Sequence, residues 1–288
     1  SPVAAKVQST SSQLGPFLQM TNQGKIRLGV PVVEMGQGIY TSLAMSVVEE
    51  LEMTLDQVED IQTIFHPAFK NPIVSYMTSN KLQMQMTGGS TSLMGWGKYY
   101  QNIGATAREM IVSAAAKEWD VSPSNLTVDG EYVINTITDN KLGYGKLVEK
   151  ASKLAIPENP KIKESNDFKI IGKPIKRWDT PSKINGTAVF GADIQLPEML
   201  YGTIKNTPIL GSKIIGIDES KAKSIPGYIT SIPLEDMVIV VANSTWSAMQ
   251  SAPKIIINTE GGNVDLNNES IKVRLHEDLR QEGVQAGN

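Results

Sequence analysis

A chain of 288 residues with 40% hydrophobic content is long enough for one large or two medium domains, each with a buried core. Its formal net charge of −3 comes from scattered charged residues, which excludes the basic surface that nucleic acid or an anionic membrane requires. With no cysteine and only His66 and His276, the sequence excludes disulfides, thiol nucleophiles, iron–sulfur ligation and the usual zinc sites. No segment approaches the roughly 20 apolar residues of a spanning helix, so the sequence predicts a soluble protein.

The first predicted unit is a strand, a glycine loop and a helix. Apolar residues alternate with other types from Ile26 to Val32, which is the period of a half-buried strand. The loop Glu34-Met35-Gly36-Gln37-Gly38 follows. Leu43, Val47 and Leu51 then fall on one face of a predicted helix.

A second strand is predicted from Ile61 to Phe65, and residues 66–85 are predicted to be irregular because Pro67 and Pro72 discourage a helix. The second glycine loop runs directly into a long helical pattern with apolar residues spaced three and four apart. This loop reads Thr87-Gly88-Gly89-Ser90-Thr91-Ser92. A hairpin over residues 122–140 and a short helix near Leu147 are predicted next.

After Phe168 the pattern changes to short elements. Strands are predicted at residues 187–190, 200–205, 228–232, 238–241 and 255–258, with a helix at 244–251. We predict an α+β fold in two domains, residues 1–165 and 166–260. Residues 261–288 are polar and are interpreted as a linker that is cut short.

Both glycine loops are candidate binding sites. Each opens a helix, so unpaired backbone amides and the positive end of a helix dipole are expected to face a ligand. Glycine allows close backbone approach, while amide and hydroxyl side chains offer donors and acceptors. Such a surface suits an anionic or amide-rich ligand, and a pterin and a pyrophosphate both fit. The candidate residues are Gly36, Gln37, Gly38, Thr87, Gly88, Gly89, Ser90, Thr91 and Ser92.

Structural interpretations of the same residues remain open. A Gly-Gln-Gly sequence between a strand and a helix is most often a tight connection, and Ser90 to Ser92 can equally form an N-cap cluster for the helix that follows. An esterase is disfavoured because the elbow pattern Gly-x-Ser-x-Gly requires glycine where Ser92 stands. Glu49 and Glu50 are interpreted as a solvated face of the first helix.

Seven segments carry a resemblance that extends over about residues 25–260 and keeps their order. They are Val33-Glu34-Met35-Gly36-Gln37-Gly38-Ile39-Tyr40-Thr41, Val48-Glu49-Glu50-Leu51, Thr87-Gly88-Gly89-Ser90-Thr91-Ser92, Gly104-Ala105-Thr106-Ala107-Arg108, Ala114-Ala115-Ala116, Ile171 to Ala188, and Asp193 to Leu200. On these segments the chain resembles the N-terminal portion of the molybdenum-cofactor-binding subunit of the xanthine oxidase family. The type it resembles is the isoquinoline 1-oxidoreductase beta subunit and the related aldehyde dehydrogenases.

The resemblance implies a molybdopterin-binding α+β domain over residues 1–165 and an α/β-hammerhead-like domain over residues 166–260. It implies that both glycine loops contact a molybdopterin cytosine dinucleotide carrying molybdenum. Gln37 would lie near the pterin and dithiolene end, and the second loop would present amides and hydroxyls to the pterin or its phosphates. No residue of this chain is implied as a metal ligand.

The family implies an oxidoreductase that hydroxylates aldehydes or N-heterocycles with oxygen from water. Its general base is a glutamate near the C-terminus of the full subunit, and no segment here matches it, so the fragment alone is expected to be inactive. The implied partners are the remainder of the subunit, a small iron–sulfur subunit and a cytochrome c electron acceptor. The periplasm is preferred over the cytoplasm, because related subunits often carry a twin-arginine signal. The alternative is a non-catalytic interaction or assembly module with structural glycine turns.

Overall fold

The computed structural model describes residues 10–15 and 17–284, and the chain divides into two compact units between Ala188 and Val189. Helices alternate with mostly antiparallel strands, so the predicted α+β class is confirmed. Residues 166–188, which the sequence places in the second domain, pack with the first unit. The assignment of residues 166–260 to a hammerhead-like domain stays a prediction.

The first unit is built on one four-stranded sheet. In spatial order its strands are β1 (Ser11–Gln13), β2 (Leu18–Thr21), β3 (Ile26–Val30) and β4 (Val58–Thr63). Strands β1 to β3 are antiparallel, whereas β3 and β4 are parallel and are connected through α1 (Ile39–Glu50). The carboxyl ends of two parallel strands meet at one edge of a sheet, so the segments that follow β3 and β4 emerge side by side. The predicted strand, glycine loop and helix are confirmed.

Helices cover this sheet, and a small second sheet follows them. The elements are α2 (Pro72–Met77), α3 (Ser92–Trp119), β5 (Leu126–Asp129), β6 (Tyr132–Asn135), β7 (Lys141–Gly143), α4 (Tyr144–Ala151) and α5 (Thr180–Ile184). The long helix, the hairpin and the short helix after it were predicted correctly. The prediction that residues 66–85 are irregular is wrong for residues 72–77, because Pro72 lies in the first turn of α2, where its missing N–H costs nothing.

The core of the first unit forms where α1 crosses α3. A Cβ atom built on Gly104 of α3 would lie 2.6 Å from the carbonyl oxygen of Val47 and 2.8 Å from Cβ of Glu50. The two helices therefore approach so closely that only glycine fits at this crossing. Because each helix begins at a glycine loop, this contact also contributes to the spacing of the loops.

The second unit contains two small antiparallel sheets. Its elements are β8 (Tyr201–Asn206), β9 (Ser212–Asp218), β10 (Tyr228–Pro233), β11 (Met237–Ala242), α6 (Thr245–Ser251), β12 (Ile256–Gly261) and α7 (Asn268–Asp278). One sheet has the order β10-β11-β8, and β9 pairs with β12.

Three local features of the second unit differ from the sequence predictions. The strand predicted at residues 187–190 is wrong: Val189 and Phe190 are exposed, and no regular pairing includes them. Strand β9 was not predicted. Helix α7 lies inside residues 261–288, the predicted linker, and all of its residues are exposed. Over the described residues, no helix is both long and apolar enough to cross a membrane.

Candidate functional site

The two glycine loops form one surface at the carboxyl edge of β3 and β4. The backbone amide of Val33 donates to Oγ1 of Thr87 at 2.9 Å, although these residues are 54 positions apart. Gln85, just before the second loop, donates through Nε2 to the carbonyl oxygens of Pro31 and Ile64 at 2.9 and 2.7 Å. Side-chain amide and hydroxyl groups thus tie the second loop to the ends of both strands.

The carboxylate of Glu34 accepts hydrogen bonds from backbone amides of the first loop. Oε1 accepts hydrogen bonds from the amides of Gly36 and Gly38 at 2.8 and 3.0 Å, and Oε2 accepts one from Tyr40 at 3.1 Å. A negative charge at the start of α1 is favoured by the helix dipole. The prediction of unpaired amides is therefore wrong for Gly36 and Gly38, because the anion that they bind is supplied by the loop itself.

Burial alone would raise the pKa of Glu34, but the backbone amides of Gly38, Tyr40 and Gly36 outweigh it and lower the pKa below 4.5. Glu34 is therefore ionised at neutral pH. Its side chain is only 6% exposed, so this charge is part of the loop's internal structure.

Gln37 lies exposed at the tip of the first loop. Its Oε1 accepts a hydrogen bond from the amide of Met35 at 2.6 Å, and its Nε2 donates to the carbonyl oxygen of Val33 at 2.9 Å. An amide side chain can form up to four hydrogen bonds, so both ends of Gln37 retain capacity for a ligand. Gly36 and Gly38 have positive φ angles, and Cβ atoms built on them would meet nothing within 4 Å. The outer side of this loop is open.

The second loop is shaped by left-handed residues and one buried threonine. Gly89 and Ser90 have φ angles of 60° and 56°. Oγ1 of Thr91 donates to the carbonyl oxygen of Gly88 at 2.9 Å and accepts from Nδ2 of Asn71 at 2.8 Å, so this hydroxyl is used inside the protein. Thr91, the N-cap residue of α3, makes no side-chain capping hydrogen bond. The N-cap interpretation is therefore not supported at this position.

A cleft of about 610 Å³ lies beside the two loops. Its lining residues are Pro31, Val33, Met35, Thr63, Phe65, Gln85, Met86 and Thr87. Phe65 is 89% exposed and Met35 is 70% exposed. Apolar walls with a few polar groups at the edge are typical of sites for small molecules with a ring.

Asn71 connects α2 to the second loop, and its replacement is expected to loosen both. Its side chain is buried and accepts hydrogen bonds from the amides of Ile73 and Val74, besides donating to Thr91. We expect Asn71→Ala to lower the free energy of unfolding by about 1–3 kcal/mol, measured by urea denaturation. The exposed Asn102 of α3 provides the control, since Asn102→Ala should not lower this free energy and should raise it by up to about 0.7 kcal/mol, the gain of alanine in a helix. Equal effects of the two variants would contradict this role.

A segment near the end of the first unit binds the first loop through Arg177. Arg177 donates from Nη1 to the carbonyl oxygen of Gly36 at 2.7 Å and from Nη2 to Oε1 of Glu34 at 3.2 Å. The same guanidinium forms a two-point pair with Asp179 at 2.9 and 2.7 Å. Asp179 also accepts a hydrogen bond from Lys183. The contact with the loop was not predicted from the sequence, because Gly36 and Glu34 lie more than 140 positions away from Arg177.

The acid stability of the protein should depend on Asp179. The hydrogen bond from Arg177, together with Lys183 and against the opposing effect of burial, lowers the pKa of Asp179 from 3.8 to about 2. A carboxyl with a lowered folded-state pKa stabilises the protein above its unfolded value and loses this effect as the pH falls through the folded value. The difference in unfolding free energy between wild type and Asp179→Asn should therefore shrink by about 1–2 kcal/mol between about pH 4 and pH 2. A difference that stays constant in urea titrations across this range would contradict the assignment.

Glu49 and Glu50, interpreted from the sequence as a solvated face, are 1% and 0% exposed, so that interpretation is wrong. Glu49 accepts hydrogen bonds from the amides of Lys169, Ile170 and Ile171 at 2.7–3.1 Å. Burial alone would raise the pKa of Glu49, but these amides and the Lys163 ammonium outweigh it and lower the pKa below 4.5. The segment before Arg177 is thus fastened to the end of α1.

Glu50 binds the part of this segment that precedes Lys169. Its carboxylate accepts hydrogen bonds from Nη1 of Arg108 at 2.8 Å and from the amide of Lys163 at 3.1 and 3.2 Å. No local pattern marked this burial, because Ser42, Ser46, Glu49 and Glu50 fall on one face of α1, which the sequence presents as its polar side.

The molybdopterin cofactor-binding domain model matches residues 3–199, and the chain belongs to this family. The chain is 25% identical to the beta subunit of an isoquinoline 1-oxidoreductase of Brevundimonas diminuta over 84% of its length. It is 27% identical to a nicotinate dehydrogenase chain of Pseudomonas putida over 89%, and 28% identical to a membrane-bound aldehyde dehydrogenase of Gluconacetobacter polyoxogenes over 88%. The family predicted from the loop and helix segments is confirmed.

The chain covers only 34%, 21% and 33% of the lengths of these three relatives. Among solved structures, a reconstituted CO dehydrogenase from Oligotropha carboxidovorans matches 31% of this chain and 15% of its own, with 20% identity and a TM-score of 0.27. A match this short and this weak does not indicate a function for this chain.

Proposed function

We propose that this chain is part of the large subunit of a molybdenum hydroxylase that oxidises aldehydes or N-heterocycles with water as the oxygen source. The observation that carries the proposal is the hydrogen bond between Val33 and Thr87, which joins the two glycine loops into one surface. The family resemblance assigns both loops to the cofactor. The relatives support the substrate classes, since their names refer to isoquinoline, nicotinate and aldehydes.

The residues of this surface fit a pterin dinucleotide. Gly36 and Gly38 leave open space where side chains would otherwise stand, and Gln37 offers both donor and acceptor groups beside the apolar cleft. Helix α3 begins at the second loop without a side-chain cap, which suits phosphate oxygens. We therefore assign the pterin end of a molybdopterin cytosine dinucleotide to Gln37, and its phosphates to Gly88, Gly89, Ser90 and Ser92.

The other two candidate residues act indirectly in this proposal. The hydroxyl of Thr87 accepts a hydrogen bond from the amide of Val33. The hydroxyl of Thr91 donates to the carbonyl oxygen of Gly88 and accepts from the side chain of Asn71. Both threonines therefore shape the surface that meets the cofactor. When bound, the cofactor supplies a molybdenum centre for hydroxylation, while the residues of this chain bind and orient it.

The proposal leaves the general base and electron transfer to other parts of the enzyme. We propose the remainder of the large subunit, a small iron–sulfur subunit and a cytochrome c as partners, and a periplasmic location. The 21–34% share of the relatives' lengths that this chain covers is consistent with such an arrangement.

The test is the pterin and molybdenum content of the full-length subunit produced with its partners. Pterin is released by heat and oxidation and measured by fluorescence, and molybdenum is measured per mole of protein. We expect near-stoichiometric amounts in the wild type, a strong reduction in the double variant Gln37→Ala/Ser90→Ala, and no change in the exposed control Gln23→Ala. Absence of pterin from the wild type would overturn the proposal and favour a non-catalytic interaction or assembly module.

A further inference from the structure

The first glycine loop does not keep its shape through its own residues alone. The carbonyl oxygen of Gly36 accepts a hydrogen bond from Arg177, while the Glu34 carboxylate accepts hydrogen bonds from amides of the same loop. Arg177 also contacts Glu34. One guanidinium thus binds both the carbonyl side of the loop and the carboxylate inside it.

Arg177 is itself held rigidly by its neighbours. Asp179, only 6% exposed, pairs with it at two points, and such fork-like pairs fix orientation as well as charge. The adjacent Trp178 donates its amide to Oγ1 of Thr41 at 3.1 Å and its Nε1 to the carbonyl oxygen of Val58 at 2.9 Å. The backbone next to Arg177 is therefore anchored to α1 and to the start of β4.

We propose that Arg177 is a positioning residue of the first glycine loop, which it holds in the shape that presents Gly36 and Gln37 to a ligand. As far as the ligand is the molybdenum cofactor, this inference rests on the proposed function. Its consequence is that the binding surface depends on residues 177–179, which the sequence places beyond the predicted first domain.

Lys183 provides a matched control for the positioning role. Like Arg177, it is a cation that contacts Asp179, but it is bonded to neither Glu34 nor Gly36. If Arg177 served only to neutralise Asp179, then Arg177→Gln and Lys183→Gln would act alike. If Arg177 positions the loop, only Arg177→Gln should affect the loop.

The first measurement is hydrogen exchange of the amides of Gly36, Gly38 and Tyr40 in the cofactor-free chain. We expect exchange about tenfold faster in Arg177→Gln, because charge-assisted hydrogen bonds that close the loop are lost, and little change in Lys183→Gln. The amide of Thr21, which lies in the sheet and donates to Lys25, reports any general loosening. Arg177→Lys should restore the exchange only in part, since an ammonium cannot form the same fork.

The second measurement is pterin content of the full-length subunit carrying each variant. We expect a several-fold reduction in Arg177→Gln and little change in Lys183→Gln. Equal exchange rates in wild type and Arg177→Gln, or equal effects of both variants, would overturn the positioning role. Faster loop exchange in a protein whose wild type contains no pterin would refute the proposed function, while the link between Arg177 and the loop would stand.

Discussion

Glu49→Gln is expected to lower the free energy of unfolding by about 3–5 kcal/mol, the cost typical of breaking a buried charge pair. The Glu49 side chain is fully buried. Its carboxylate accepts hydrogen bonds from three backbone amides and from the Lys163 ammonium. Glutamine keeps the volume but turns an NH₂ group towards donors, and Lys163 loses its ion pair with Glu49 while it keeps the one with Glu52. Urea denaturation at neutral pH measures the change.

Glu118 provides the control for this variant. Its carboxylate pairs with Lys150, but the side chains are 42% and 58% exposed, so Glu118→Gln should cost less than about 1 kcal/mol. The effect of Glu49→Gln should also depend on pH. Because the pKa of Glu49 is lowered from 4.5, its stabilising effect is complete above that value and is lost as the pH falls through the lower folded-state value. Equal costs for the two variants would show that Glu49 behaves as a surface carboxylate.

Local periodicity was sufficient to predict the elements on which the loops stand. Helices α1 and α3 were predicted from apolar residues three and four apart, and β3 from alternation. Strands β1 and β2 were missed because segments of three and four residues carry too little pattern. Helix α2 was missed because proline was taken as a helix breaker, although it favours the first turn.

The candidate site could be predicted only as two separate loops. Glycines and hydroxyl residues before predicted helices indicated both, but their union through Val33 and Thr87 depends on how β3 and β4 pair, which no local pattern contains. The role of Arg177 was hidden for the same reason. A lone arginine in a polar segment is usually solvated, and only the folded chain brings it to Glu34.

The domain boundary shows the same limit of sequence reasoning. A change of pattern near Phe168 indicated a new domain, yet residues 166–188 pack with the first unit because the carboxylate of Glu49 binds the backbone there. No local pattern marked this contact, because Glu49 shares a face of α1 with Ser42 and Ser46 and is therefore expected to be solvated. The burial of Glu49 converts an irregular segment into a fixed support for the first loop.

Gly104→Ala is expected to destabilise the protein by about 2–3 kcal/mol, because overpacking at a tight contact exceeds the gain of up to about 1 kcal/mol that alanine brings to a helix. The new methyl group would meet backbone atoms of Val47, which cannot move aside without shifting α1. Since α1 and α3 carry the two glycine loops at their starts, the variant should also reduce pterin content in the full-length subunit. Thermal and urea unfolding measure the first effect, and released pterin measures the second.

Gly97, in the same helix, distinguishes crowding at the helix crossing from the general effect of alanine. A Cβ atom there would lie 3.2 Å from Cδ1 of Leu93, the far end of a half-exposed flexible side chain that can move aside. Gly97→Ala should therefore leave stability unchanged or raise it by up to about 1 kcal/mol. If Gly104→Ala is as stable as Gly97→Ala, the helices can separate at little cost, and the spacing of the loops must then be set by the contact between Val33 and Thr87 and by Arg177 instead.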